Sequence, residues 1–112
     1  RTISFSSDNQ SEELELILMD LAFIRSADNY VEVFYRKGEV FHRQLVRNTL
    51  KNIALQLKPY SDFVQCHRTC IVNVHYIKSL EREKGSYVLQ LKGNNEQLPV
   101  SRQYLLKIKE II

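Results

Sequence analysis

Short runs in which apolar and polar residues alternate, each closed by turn-forming residues, dominate this chain and leave room for only two helices. Tyr30-Val31-Glu32-Val33-Phe34-Tyr35 is the clearest run: Val31, Val33 and Tyr35 line one face, and Tyr30, Glu32 and Phe34 the other. Arg36-Lys37-Gly38-Glu39 then turns the chain, with a glycine available for positive φ, and Val40-Phe41-His42-Arg43 returns. Similar punctuation follows at Glu81-Arg82-Glu83-Lys84-Gly85 and Lys92-Gly93-Asn94-Asn95. Hairpins of this kind predict sheets that are mainly antiparallel.

Upstream, Ile3 and Phe5 alternate with polar residues, and Leu14, Leu16 and Leu18 mark a second strand or strand-like entry. Residues 20–25 read as a mostly buried strand, and Ser26-Ala27-Asp28-Asn29 as a turn. The period changes at Val46, Leu50, Ile53, Ala54 and Leu57, which share one helical face. Asn48 or Thr49 supplies the N-cap, and Pro59 ends the helix, placing it at about residues 49–57. Pro99 marks an edge-like strand, since it has no N–H for a ladder. Ser101 is expected to cap a last helix whose apolar face holds Leu105, Ile108 and Ile112. The sum is a mainly β domain of about eight to ten short strands, one mid-chain helix and one C-terminal helix.

A chain of 112 residues with a hydrophobic fraction of 44% is the size and composition of a single globular domain, here residues 1–112. It has no apolar run long enough to span a bilayer and no signal-peptide pattern. It starts at Arg1 rather than Met and is expected to be a piece of a longer protein. Two cysteines without a secretory signal point to free thiols in a reducing, cytoplasmic compartment. The net charge of +3 is unevenly placed. Residues 1–34 hold two arginines against seven acids, a net −5, and residues 35–112 hold fourteen Lys/Arg against six acids, a net +8. A basic later part favours an anionic partner.

The chemistry concentrates in Phe63-Val64-Gln65-Cys66-His67-Arg68-Thr69-Cys70-Ile71-Val72-Asn73. Strand-type anchors flank three residues that each bind phosphates or base edges. Arg68 suits a phosphate or, with two parallel hydrogen bonds, a guanine edge; His67 and Thr69 suit phosphate oxygens. Arg102 and Gln103 open a helix, where free N–H groups and the helix dipole favour phosphate. Asn73 reads as structural, a buried amide tying a turn. Against these stand ordinary surface roles: a salt-bridged arginine at a strand end, helix-start decoration, a plain hairpin loop.

Rival chemistries fare worse. Cys66, His67, Cys70 and His75 are zinc-ligand types, but an extended reading separates Cys66 from Cys70 by roughly 13 Å, too far for a shared metal or a disulfide. The chain has no glycine-rich phosphate loop, no paired-carboxylate spacing and no HExxH helix, so neither catalysis nor a cofactor is expected.

Phe63-x-x-Cys66-His67-Arg68-Thr69-x-Ile71-Val72-Asn73 is similar to the signature of the LytTR DNA-binding domain family. So are Leu98-Pro99-Val100-Ser101-Arg102 and Ile24-x-Ser26-Ala27-Asp28-Asn29-Tyr30-Val31. The resemblance covers roughly residues 12–112. It implies an elongated stack of antiparallel β-sheets in which loops, not a recognition helix, enter DNA. It also implies a bacterial transcription regulator, with this domain as the output half of a response regulator. The partners implied are double-stranded DNA with repeated half-sites, a second protomer on that DNA, and an N-terminal receiver or sensor module. No membrane contact by this domain is expected. Among site residues, the resemblance implies Arg68 as a DNA contact, a DNA-facing loop with Asn29 and Tyr30, and a phosphate contact at Lys92. Family members commonly carry arginine where this chain has Gln103, so the preferred base is expected to differ; glutamine suits adenine. The competing expectations are a protein-interaction module using the β-edge at Pro99 or the aromatic face of Tyr30 and Phe34, and single-strand binding on exposed aromatics.

Overall fold

The computed structural model describes all residues, Arg1–Ile112. In chain order the elements are β1 (Thr2–Ser6), β2 (Glu13–Ile17), β3 (Leu21–Ala27), β4 (Tyr30–Lys37), β5 (Val40–Val46), α1 (Leu50–Leu57), β6 (Phe63–His67), β7 (Cys70–Asn73), β8 (Ile77–Glu83), β9 (Ser86–Leu91), β10 (Asn94–Val100) and α2 (Arg102–Ile111). Single 3-10 turns at Leu18–Asp20 and Val74–Tyr76 lead into β3 and β8. All strand pairs are antiparallel, in a two-stranded sheet β1-β2, a five-stranded sheet β5-β4-β3-β7-β6 and a three-stranded sheet β10-β9-β8.

The five-stranded sheet is the middle layer because its central strands are apolar on both faces. Val31, Val33 and Tyr35 pack beneath Phe5 and Leu16 of the small sheet and Ile53 and Leu57 of α1. Phe23, Phe34 and Val72, on the opposite face, pack on Leu89 and Leu98 of the three-stranded sheet and Ile108 of α2. The result is an elongated stack, 42 × 28 × 24 Å, with the two helices in the outer layers. The expected fold class holds.

Local chemistry sets the boundaries. Thr49 is the N-cap of α1, its hydroxyl accepting from the Asn52 amide at 3.1 Å, and Pro59 follows the last turn. Gly38 takes φ +63° in the β4–β5 turn. Asn73 is buried; its side-chain amide donates to the Leu21 carbonyl at 2.9 Å and its Oδ1 accepts from the His75 amide at 3.0 Å. It thereby ties the end of β7 to the start of β3, the structural role its type suggested.

Four expectations need correction. Ser26 and Ala27 belong to β3, and the turn is Asp28-Asn29, where Asp28 tolerates φ +56°. Val46 ends β5 instead of starting the helical face, though it shares a core with Leu50 and Ile53. Ile112 is 54% exposed, outside the apolar face that Leu105 and Ile108 form. Cys66 and Cys70 are not held apart by extended chain: the chain reverses at Arg68-Thr69, and both thiols are buried with Cys66 Sγ 3.9 Å from the Cys70 carbonyl. The hydrogen bond that Cys66 makes to Cys70, together with burial, pushes the Cys66 thiol far up and keeps it protonated.

Arg25 joins two layers. It donates to Glu32 of β4 and to Glu96 of β10, both at 2.7 Å, while its guanidinium carbon lies 4.9 Å from the Phe34 ring centre. Arg43 also bonds Glu32. Burial works against the Glu32 charge, but the hydrogen bonds from Arg25 and Arg43 outweigh it and hold the carboxyl below its usual range. The unfolded chain therefore takes up the proton first. The contribution of Glu32 is complete above the ordinary carboxylate pKa and is lost as pH falls through the lower folded value. Glu32→Gln is expected to lower the melting temperature at pH 7 and to flatten its decline into acid. Circular dichroism melts from neutral to acid pH check this; an acid limb unchanged by the substitution would contradict it.

Candidate nucleic-acid interface

Two hydrogen bonds between elements gather the candidate residues at one end of the five-stranded sheet. The Ser26 amide donates to the Thr69 carbonyl at 2.9 Å, so the Asp28-Asn29 turn and the Arg68-Thr69 turn stand side by side on neighbouring strands. The Ser101 amide donates to the Cys66 carbonyl at 3.0 Å, which clips the start of α2 to the end of β6. Asn29, Tyr30, Arg68, Arg102 and Gln103 are all exposed there, and Arg68 and Arg102 form no ion pair.

The central turn organises itself. His67 Nδ1 accepts from the Thr69 amide at 3.2 Å and lies 2.7 Å from the Thr69 hydroxyl. A nitrogen that accepts a backbone N–H carries no proton of its own, so the neutral ring bears its proton on Nε2 and offers it outward. Thr69 then donates its hydroxyl proton to His67, which orients the imidazole.

At the α2 N-terminus, Ser101 occupies the N-cap position but its side chain makes no capping bond, contrary to expectation. Its Oγ is buried without a protein partner. The first amides of the helix stay free, facing a cleft of about 610 Å³ lined by His67, Arg82, Tyr87, Ser101 and Arg102. Arg82, one of a charged series that reads as a solvated turn, is the functional candidate the sequence concealed. At the other end of the edge, Arg47 stands 5.7 Å over the Tyr30 ring and 3.7 Å from Asp8.

Lys92 is elsewhere. Its amide bonds the Tyr76 carbonyl at 2.8 Å, and a Cβ on the adjacent Gly93 would lie 3.4 Å from Phe41 of β5. β10 crosses the middle sheet obliquely, from Phe41 past Arg25 to Cys66, which puts Lys92 roughly 23 Å from Ser101 at ~3.3 Å per residue. The structure does not bring Lys92 together with the others. Of the aromatic pair, Tyr30 is exposed but Phe34 is covered: it stacks on Phe23 at 4.2 Å under the Arg25 guanidinium.

What remains is a band of cations and amides from Arg47 through Asn29, Arg68 and His67 to Arg102 and Arg82. It spans five strands, about 19 Å at ~4.8 Å per strand. A duplex rises about 3.4 Å per base pair, so this edge matches roughly five to six base pairs.

Residues 12–112 match the family model described as the LytTr DNA-binding domain. The chain belongs to the LytTR DNA-binding domain family. Its relatives include a response regulatory protein of Vibrio cholerae, 34% identical over 103 residues covering 89% of this chain and 39% of that protein. The sensory transduction protein LytT of Bacillus subtilis is 31% identical, covering 83% of this chain and 36% of that protein. The transcriptional regulatory protein BtsR of Escherichia coli is 28% identical, covering 87% and 38%. This LytTR chain thus spans under two fifths of the length of these relatives. A solved LytTr DNA-binding domain from Bacillus cereus shares its fold, with a TM-score of 0.68 at 20% identity, covering 98% of this chain and 94% of that one. No helix of the LytTR chain is long and apolar enough to cross a membrane.

Proposed function

We propose that this chain binds double-stranded DNA sequence-selectively as the output domain of a bacterial transcriptional response regulator. The observation that carries the reading is the convergence of two turns and a helix start on one cationic edge, held by the Ser26–Thr69 and Ser101–Cys66 hydrogen bonds. Arg68 reads a guanine edge and Gln103 an adenine; Arg102, Arg82 and the outward His67 Nε2–H bind phosphates; Asn29 reads or anchors beside Tyr30. The chemistry is binding rather than catalysis. Two copies occupy repeated half-sites about one helical turn apart, roughly 34–36 Å. A receiver or sensor module elsewhere in the longer protein controls their pairing.

The competing interaction-module reading has less support, since Pro99 removes a donor from the β10 edge and Phe34 is covered. Arg68→Ala is expected to weaken duplex binding by about 1–3 kcal/mol and to relax preference at one base position. Fluorescence anisotropy over a panel of single-base variants measures both. Unchanged affinity and unchanged preference would remove Arg68 from the interface.

A further inference from the structure

Two surfaces away from the cationic edge differ in charge. On the β6 flank, α1 and α2 leave a groove of about 410 Å³ floored by Leu57, Phe63 and Ile111 and rimmed by Lys58 and Lys107. No acid lines it. In the small sheet, β2 turns Glu13, Glu15 and Ile17 away from the core, the last 55% exposed. The stretch from Glu12 to Asp20 contains four acids and no base.

Their placement follows from three contacts. Gln56 of α1 bonds the Ser4 carbonyl, and Asn48 bonds the Ser6 carbonyl at 2.8 Å, so β1 lies beside α1 with β2 on its far side. The Asp8 amide donates to the Arg47 carbonyl at 2.7 Å, which fixes the β1–β2 hairpin against the end of β5. β1 therefore separates β2 from α1, and the acidic outer face of β2 and the basic groove are distinct surfaces.

We propose that copies of this chain associate head to tail, the acidic outer face of β2 of one copy seating in the lysine-rimmed groove between α1 and α2 of the next. Ile17 meets the apolar floor while Glu13 and Glu15 meet Lys58 and Lys107. Charge decides the occupant and the symmetry. A two-fold pairing through either surface alone would set lysines against lysines or acids against acids, whereas the heterologous contact is complementary and leaves one surface of each kind open for a further copy. A five-residue strand in one groove falls short of the ~1,200–2,000 Å² of a stable interface. The contact is therefore weak between free copies and strong where a duplex aligns them. This DNA arm rests on the function proposed above.

The test compares duplexes, selected by the protein from a random pool, that carry one or two adjacent copies of the selected site. Wild type is expected to fill the paired site about 10–100-fold more tightly than two independent sites would allow. Glu13→Lys with Glu15→Lys, or Lys58→Glu with Lys107→Glu, should abolish that gain and leave single-site affinity within about twofold. Combining all four changes in one chain should restore it. Wild type without the gain, double variants that keep it, or a fourfold variant that fails to regain it would each overturn the proposal. If no duplex is bound at all, the DNA reading falls by itself. The contact is then decided without DNA, by NMR signals of Ile17 and Ile111 on concentrating the free chain. Joint shifts in wild type that vanish in either double variant support it; no shifts overturn it.

Discussion

Raising the salt from about 50 to about 200 mM is expected to weaken duplex binding by this chain about 150-fold, taking four neutralised phosphates and the counterion-release slope of about −0.9 per phosphate. The four are assigned to Arg47, Arg82, Arg102 and the α2 N-terminus with its neighbour His67. Arg68 is left for a base edge. Because these cations are exposed, none carries the desolvation penalty of a buried charge, and the whole attraction is open to screening. Arg82→Ala should lower the log–log salt slope by about 1 and weaken all sequences alike, which separates it from Arg68→Ala. Titrations at several salt concentrations check this, and a flat response would contradict a phosphate-tracking surface.

Phe23→Ala is expected to destabilise the fold by about 3–5 kcal/mol, a large share of the ~5–15 kcal/mol that holds a domain of this size. Phe23 is fully buried at the centre of β3, where it meets the three-stranded sheet. Its ring stacks on Phe34 at 4.2 Å, and together they form the floor on which Arg25 reaches Glu96. Removing the ring leaves a cavity between two layers that α1 and α2 brace from outside, so it has little room to collapse. Leu106→Ala, at a position 70% exposed, is the control and should stay within about 0.5 kcal/mol. In urea melts the Phe23 variant should shift the midpoint without changing the slope. A loss under about 1 kcal/mol would mean that the two sheets do not depend on this contact.

Alternation at Val31, Val33 and Tyr35, the glycine turns and the helical period of Leu50, Ile53 and Leu57 are local signals, and the layers follow from them. Phe34 shows what a local pattern misses: it faces away from Val33 yet is as buried, because a second sheet covers that side. Arg25 lies inside a stretch that reads as core, and its partner Glu96 is 71 positions away, so no periodicity links them. The reversal at Arg68-Thr69 was hidden for another reason. It contains no glycine and no residue at positive φ, and closes through a register shift between Gln65 and His67. Without a turn signal, the cysteines look far apart when they touch. The types His67, Arg68 and Gln103 mark the candidate site in sequence, but that Arg82 lies with them and Lys92 apart depends on how β10 crosses the sheet.

The central claim is that separate connections meet one duplex together. NMR titration of the labelled chain with a mixed-sequence duplex at low salt tests it most directly. The amides of Asn29, Arg68, Arg82 and Gln103 should shift along one common binding curve while Lys92 stays still. Shifts confined to a single connection, or centred on Lys92, would contradict it.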